Sequence, residues 1–445
     1  MVFSVETRKM GGEMIGLKKI SALTAISIVI ANMIGTGVFT TLGFQVKEIG
    51  SPFVILCIWI LGGIVALSGA LSYAELGAIF QRSGGEYLFL SKIYHPMVGF
   101  LAGWLSVTVG FAAPSAATAM ALGKYFHYVF PMIPPLWISC CVSVLVYALH
   151  LRSLRWESIF QNIFILVEIF LILFFIVSGI EHVERPKLDF LPKPEDLAVF
   201  FSPPFALCFI YTMYSYSGWN AAAYIAGEIE NPKKNIPLAL ILGTTIVVII
   251  YTFLNAVFIF SVPRDQISGQ IEVGAIVARK IFGEWGSRFA GFLIGVSLIS
   301  SLSAMAWTGP RVAAAIGEDY PFFRILSKRS KEGVPYVGLL LQALIMFCLL
   351  FSSSFAKIIT YVEFALGLST VVTVLGVIIL RWKAPELKRF YSTWGYPLTP
   401  LLYVIIESII LLQVFRQRPV ESLLGLSTFL LGAIVYFFSK KACSK

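Results

Sequence analysis

Two long apolar stretches of the chain are interrupted by glycine-containing polar segments, IGTGVF at 34–39 and SYSGWN at 215–220. Glycine allows a helix to unwind within a membrane, and the N–H and C=O groups that unwinding frees are costly unless a polar partner satisfies them. The N–H groups around Gly37 and Val38 suit a carboxylate, and the carbonyls that end each preceding half-helix suit an ammonium group. The interruptions therefore predict a site for a zwitterion. The alternative interpretation is that the glycines only allow close helix packing.

Ionisable side chains inside apolar stretches are costly and therefore indicate function. The candidates are Glu75, Glu168, Glu228, Arg311, Glu363 and Glu407. Three of them, Glu75, Glu228 and Arg311, lie near the ends of their stretches, where they are candidates for a gating ion pair or for simple solvation at the membrane surface. Glu363 is a candidate for an outer gate or for an influence on cationic ligands. Glu407 is a candidate for packing or for an oligomer contact.

Glu168 differs from these residues because it lies near the middle of its stretch. Desolvation favours the protonated form of a buried carboxyl group, so Glu168 is a candidate for binding and releasing a proton. A second interpretation is a cation site shared with the hydroxyls of Ser300, Ser301 and Ser303. The third is a permanently protonated acid in a structural hydrogen bond.

The composition places this chemistry in a bilayer. Of the 445 residues, 58% are hydrophobic and 13% are charged, whereas soluble proteins average about 45–50% apolar and 25% charged residues. The net charge of +10 comes from short clusters between apolar stretches, so nucleic acid is not expected as a partner. The six cysteines show neither a disulfide framework nor metal-ligand spacing.

The apolar stretches predict twelve transmembrane helices, because one span needs about 20 apolar residues. The interruptions fall in the first and sixth helices, which open two blocks that enter the membrane from opposite sides, as in an inverted repeat. The distribution of Lys and Arg predicts cytoplasmic termini, and the segment from Ile267 to Trp285 predicts an amphipathic surface helix. The predicted units are a cytoplasmic N-terminal segment (1–19), a first repeat of helices 1–5 (20–180), an extracytoplasmic loop (181–199), a second repeat of helices 6–10 (200–382), helices 11–12 (383–438) and a cytoplasmic tail (439–445).

Several stretches resemble the amino acid–polyamine–organocation superfamily, and within it the L-type and cationic amino acid permeases. They are IANMIGTGVF around residue 35, SYAELGAIFQRSGGEYLFL (72–90), SYSGWNAAAYIAGEIENPKKNIP (215–237), TGPRVAAAI (308–316) and KRFYSTWGYPLTP (388–400). The resemblance implies a LeuT-type fold, which is an all-α polytopic membrane protein with twelve transmembrane helices, a 5+5 inverted repeat and interrupted helices 1 and 6. It also implies a central amino acid site.

The resemblance assigns roles at the two interruptions. The implied substrate contacts are Ile34, Gly35, Thr36, Gly37, Tyr214, Tyr216, Ser217 and Gly218. The implied gating residues are Glu75, Tyr214, Glu228 and Arg311. Residues 81–90 resemble a re-entrant loop near the inner gate, although an ordinary turn is the alternative. Sodium-independent relatives commonly carry Lys where this chain has Glu168, so the role of that Lys as a stand-in for sodium does not carry over.

The favoured function is a secondary active transporter that moves amino acids by alternating access. Proton coupling, exchange and uniport stay open, and a transporter-like amino acid sensor is a further alternative. Neither a nucleotide-binding loop nor a hydrolase motif occurs in the sequence, so we expect no enzyme activity, cofactor or metal. The expected partners are an amino acid, the bilayer and a coupling proton. Some animal relatives are joined covalently to a heavy-chain partner. Such a partner is not expected here because the connection 124–135 has no cysteine to form the bond. The expected location is the plasma (inner) membrane.

Overall fold

The computed structural model describes the backbone of residues 19–151, 154–182 and 191–443, and the side chains of 19–151, 165–181 and 191–439. The predicted N-terminal segment up to residue 18, residues 183–190 of the predicted loop and the end of the predicted tail lie outside the described residues. In the described ranges the regular secondary structure is helical, apart from an isolated bridge between Ile20 and Ile229.

The helices follow one another with short connections. In chain order they are α1 (Ala22–Met33), α2 (Thr36–Glu48), α3 (Pro52–Ile79), α4 (Glu86–Ile93), α5 (Pro96–Leu105), α6 (Ala112–Val129), α7 (Pro135–His150), α8 (Leu154–His182), α9 (Asp196–Phe200), α10 (Pro203–Tyr216), α11 (Ala221–Tyr224), α12 (Pro232–Ser261), α13 (Arg264–Ile267), α14 (Val273–Asp319), α15 (Tyr336–Ser352), α16 (Phe355–Lys383), α17 (Leu398–Gln417) and α18 (Pro419–Cys443). A π-helical turn, Ser106–Gly110, joins α5 to α6, and 3₁₀ turns occupy Ala226–Glu228 and Pro321–Ser327.

Proline marks the start of several helices. It occupies the first turn of α3, α5, α7, α10 and α12, at Pro52, Pro96, Pro135, Pro203 and Pro232. The φ angle of proline suits the first helical turn, where the N–H that proline lacks has no helical partner in any case. The proline positions in the sequence therefore predict where these helices begin.

Both predicted interruptions are confirmed as breaks in helices. The first break separates α1 from α2, and its residue Ile34 is extended with φ −73° and ψ 109°. The second break separates α10 from α11, and its residue Gly218 has φ +96°. Each break therefore divides one apolar stretch into two half-helices.

The two broken helices run in opposite directions beside each other. At one face of the protein, Ile20 N–H donates to Glu228 C=O at 2.8 Å, and Glu230 N–H donates to Ile20 C=O at 3.0 Å. Towards the opposite face, Gln45 Nε2 donates to Thr212 Oγ1 at 2.7 Å. The start of the first broken helix thus meets the end of the second, which is the arrangement expected of an all-α, LeuT-type polytopic fold.

Eight of the described helices or helix pairs are long and apolar enough to cross a membrane. Two shorter apolar helices, Pro135–His150 and Tyr336–Ser352, add to them. The protein is therefore an integral membrane protein, while the count of twelve spans stays a prediction. Many large apolar side chains of α17 and α18 are exposed, including Leu412 and Leu430, as lipid-facing positions require.

Two segments between the spans also fold as helices. The segment 81–90 contains the start of α4, and it packs against the second broken helix because Gly84 N–H donates to Tyr224 C=O at 3.1 Å. The predicted surface helix from Ile267 to Trp285 starts later than expected. It is the first part of α14, from Val273 to a kink at Gly283, where φ is +72°.

Candidate functional site

The two breaks contact each other through side chains. The hydroxyls of Thr36 and Tyr214 lie 3.0 Å apart, and those of Thr41 and Ser215 lie 2.9 Å apart. A Cβ atom on Gly37 would lie only 2.4 Å from Ser215 Cα, so a residue without a side chain allows α2 to approach α10 this closely. The packing interpretation of Gly37 therefore has a direct structural basis.

The carbonyls that end α1 already accept hydrogen bonds from the protein. Tyr251 Oη donates to Met33 C=O at 2.6 Å. Ser301 Oγ donates to Ile34 C=O and, at 3.4 Å, to Ala31 C=O. Each carbonyl oxygen has a second lone pair, so these contacts hold the break in place and leave acceptor capacity for an ammonium group.

The start of α2 offers donors rather than acceptors. Gly35 caps this helix without any side-chain hydrogen bond. The first N–H groups of a helix have no partner within the helix and carry the positive end of its dipole. The break thus places donors suited to a carboxylate next to acceptors suited to an ammonium group.

A cavity lies beside the breaks. The cavity has a volume of about 70 Å³, enough for several waters. Its lining residues come from both broken helices, α4, the α5–α6 region, α14, α16 and α17. They include Asn32, Glu86, Phe111, Ser217, Gly218, Trp219, Asn220, Tyr224, Glu363 and Tyr403.

The predicted substrate contacts divide into three groups. Ser217 and Gly218 line the cavity. Ile34, Gly35, Thr36, Gly37 and Tyr214 form or join the adjoining breaks and do not line it. Tyr216 faces α3, where its Oη donates to Trp59 C=O at 3.0 Å, so it braces the second break.

The structure places Glu86 in the cavity wall, a position that no sequence pattern predicted. It is fully buried and accepts hydrogen bonds from Tyr73 Oη at 2.7 Å, Ser369 Oγ at 2.6 Å and Asn220 Nδ2 at 3.2 Å. Glu86 therefore joins α3, α4, α16 and the second break. The only sequence signal was an acid that directly follows Ser-Gly-Gly and opens an apolar run.

Glu168 is fully buried in the middle of α8. Its Oε1 accepts a hydrogen bond from Ser297 Oγ, and its Oε2 has no hydrogen-bond partner among the described residues. Of the three predicted serines, Ser301 lies one turn beyond Ser297 and contacts the first break. Ser303 points elsewhere and lies 2.8 Å from His150 Nε2, while Ser300 is buried.

The predicted gating charges form two separate clusters. Arg311 Nε donates to Glu228 Oε1 at 3.0 Å, and the guanidinium lies 5.1 Å from the Trp307 ring centroid. Glu75 is paired instead with Arg381 at 2.7 Å and Arg389 at 3.2 Å. The first cluster joins α14 to the second broken helix, and the second joins α3 to the end of α16 and the loop after it.

The described residues hold no group of three His, Cys, Asp or Glu side chains suited to a metal. The polar groups at the two breaks converge on a cavity beside the broken helices. This arrangement fits binding and release of a small zwitterion.

Comparison with known proteins agrees with this geometry. A family profile described as amino acid permease matches residues 20–438. Large neutral amino acids transporter small subunit 2 of Mus musculus is 28% identical over 96% of this chain and 82% of its own length. Asc-type amino acid transporter 1 of Mus musculus is 27% identical over 96% of this chain and 82% of its own length. The cystine/glutamate transporter of Pongo abelii is 28% identical over 85% of this chain and 77% of its own length. The chain therefore belongs to the amino acid permease family and is a membrane transporter of amino acids rather than an enzyme.

Proposed function

We propose that the two breaks hold the amino and carboxyl groups of an amino acid, and that Glu168 binds a proton that is transported with it. The uncapped start of α2 supports the first part, because it offers N–H donors beside the carbonyls of Met33 and Ile34. The cavity supports it too, because Ser217 and Gly218 of the second break line its wall.

The observation that carries the second part is the position of Glu168 relative to the first break. Ser297 and Ser301 lie four residues apart on α14, so they share one face of that helix. Ser297 contacts Glu168, and Ser301 contacts the Ile34 carbonyl. Loss or gain of the hydrogen bond between Ser297 and Glu168 would therefore shift the helix turn that also carries Ser301, and so alter the contact between Ser301 and the first break.

Burial explains why this position suits a proton. A charged carboxylate that is fully buried and has one oxygen without a donor is costly, and the neutral acid is much less so. Glu168 has both features. Movement of α14 or α8 that admits water during alternating access would make release of the proton favourable.

We expect an inward proton gradient to drive accumulation of labelled amino acid by the purified chain in proteoliposomes. Glu168→Gln should keep uptake down the amino acid gradient but lose gradient-driven accumulation by about fivefold or more, because the amide cannot release a proton. Glu386→Gln is the matched control, since Glu386 is an exposed acid in the connection after α16.

Uptake of amino acid down its own gradient by Glu168→Gln separates coupling from folding, because a misfolded variant would lose this uptake as well. Accumulation that is retained in Glu386→Gln and lost in Glu168→Gln supports the proposal. Uptake that changes neither with the proton gradient nor with the Glu168 substitution would indicate an exchanger or uniporter in which Glu168 has a structural role.

The proposal extends to topology and assembly. Residues 20–180 and 200–382 would form the inverted repeats, with helices 11 and 12 at 383–438 and both termini on the cytoplasmic side of the plasma membrane. The antiparallel pairing of the broken helices supports the repeats. One relative is named a small subunit. In this chain the connection 124–135 lacks a cysteine, so we propose that no heavy-chain partner is attached covalently there.

A further inference from the structure

The cavity beside the breaks has an acidic lining. Its 17 lining residues include two carboxylic acids, Glu86 and Glu363, and none of these residues is Lys, Arg or His. A cavity of low dielectric constant that is lined by acidic groups and lacks basic ones favours a positively charged ligand group.

The two acids differ in what they can offer a ligand. Glu86 already accepts three hydrogen bonds, from Tyr73, Ser369 and Asn220. Glu363 is 5% exposed, and its Oε2 receives no hydrogen bond from the described residues. Glu363 is therefore the acid in the cavity wall that has a free acceptor.

The position of Glu363 on α16 directs it to the cavity. Leu366 and Thr370, which follow it by three and seven residues, also line the cavity. Residues at this spacing share one helix face. The breaks line another part of the same cavity through Ser217 and Gly218, so an amino acid held there would place its side chain in reach of this face.

The aromatic residues in the cavity wall also suit a cationic ligand group. Phe111, Trp219, Tyr224 and Tyr403 contribute aromatic rings to the lining, and the face of such a ring attracts a Lys ammonium or an Arg guanidinium. An intramembrane carboxyl group without a partner is costly to keep. A cationic side chain would satisfy Glu363 and gain contacts with the rings.

We propose that Glu363 binds the cationic side chain of the substrate, so that this permease prefers basic amino acids to neutral ones of the same shape. The inference rests on the proposed function, because it requires the amino acid to be held at the breaks. It sets the chain apart from relatives named for neutral amino acids or for cystine and glutamate.

The test compares arginine with citrulline, which has a similar shape and a neutral side chain. Competition of each against uptake of a labelled amino acid is measured in proteoliposomes. Wild type should prefer arginine by about tenfold or more, as a site built for a charged group rejects its neutral analogue. Glu363→Gln should reduce this preference to about twofold or less while citrulline binding changes little.

Glu407 on α17 is fully buried and neither of its carboxyl oxygens has a partner among the described residues, but it lies close enough to Glu363 to interact with it electrostatically, so it cannot serve as a control. The control is Glu386→Gln, because Glu386 is exposed in the connection after α16 and does not line the cavity. This variant should keep the preference for arginine. The preference is a ratio within one sample, so a smaller yield of folded protein does not alter it.

A second variant keeps the inference testable if Glu363→Gln does not fold. Glu363→Asp keeps the charge and withdraws it by one methylene, so it should lower the preference for arginine without reversing it. A wild type that does not distinguish arginine from citrulline would overturn the inference, as would a preference for arginine that is as strong in either Glu363 variant as in wild type. The first of these results is also expected if Glu363 holds only a proton.

These outcomes are distinct from failure of the proposed function. If neutral amino acids are transported and basic ones are not preferred, only the role of Glu363 is wrong. If no amino acid in the panel competes or is taken up by wild type, the substrate site at the breaks is wrong as well.

Discussion

Replacing Gly218 with alanine is expected to abolish amino acid uptake. Gly218 has φ +96°, and a residue with a Cβ atom in such a conformation costs about 1–3 kcal/mol. The added Cβ would also lie 2.4 Å from the carbonyl oxygen of Asn32, and overpacking of this kind costs about 1–3 kcal/mol more. The two breaks would have to move apart, so the substrate site between them would be lost. The measurement is the initial uptake rate in proteoliposomes, with the thermal unfolding midpoint in detergent.

Gly283→Ala provides the control for the backbone strain. Gly283 has φ +72°, but a Cβ atom there meets no other atom within 4 Å, and the residue lies at the kink in α14, away from the breaks. We expect a lower unfolding midpoint with uptake retained. Equal uptake by the two variants would show that transport does not need the close approach of the two breaks.

Replacing Glu75 with glutamine is expected to cost about 3–5 kcal/mol of stability, as removal of one partner from a buried ion pair does. The Glu75 side chain is 1% exposed. It accepts hydrogen bonds from Arg381 at 2.7 Å, from Arg389 at 3.2 Å and from Thr393 N–H at 2.7 Å. The amide would leave two guanidinium groups together without a counter-charge. The thermal unfolding midpoint of the purified protein measures this effect.

Glu284→Gln is the comparison for an exposed ion pair. Glu284 lies 2.9 Å from Arg279, and both side chains are 54% exposed, so the substitution should cost less than about 1 kcal/mol. If Glu75→Gln and Glu284→Gln lower the midpoint equally, the Glu75 cluster does not anchor α3 to the end of α16.

The breaks could be predicted from the sequence because their signal is local. Glycine inside a long apolar stretch weakens a helix wherever it occurs, and the structure has breaks at Ile34–Gly35 and at Ser217–Asn220. The opposite directions of the broken helices followed from counting spans, and the hydrogen bonds between Ile20 and the 228–230 segment confirm them. Prolines in the first turn marked several helix starts in the same way.

The cavity could not be predicted because its residues come from distant parts of the chain. Ser217, Gly218 and Asn220 belong to the predicted interruption at 215–220, but Asn32 carries no pattern beyond its neighbours. Glu86 lies in the segment 81–90, which was predicted as a re-entrant loop or a turn, so a search for charges inside apolar stretches passes over it. Its partners Tyr73 and Ser369 come from α3 and α16.

The partners of the buried charges show the same limit. Glu168 was recognised as an intramembrane acid, yet its hydrogen bond comes from Ser297 rather than from a predicted serine. Helix period alone places Ser297 and Ser301 on one face of α14 and Ser303 on another. Which face meets α8 depends on how the helices pack, and this is a property of the whole fold.

Counterflow into proteoliposomes tests the central claim most directly. Vesicles containing the purified chain are loaded with unlabelled amino acids, and the entry of trace labelled amino acids is followed over time beside protein-free vesicles. Binding of an amino acid at the breaks followed by alternating access predicts a transient accumulation of label above equilibrium for at least one amino acid. Correctly folded protein that produces no such overshoot with any amino acid of the panel would contradict the account.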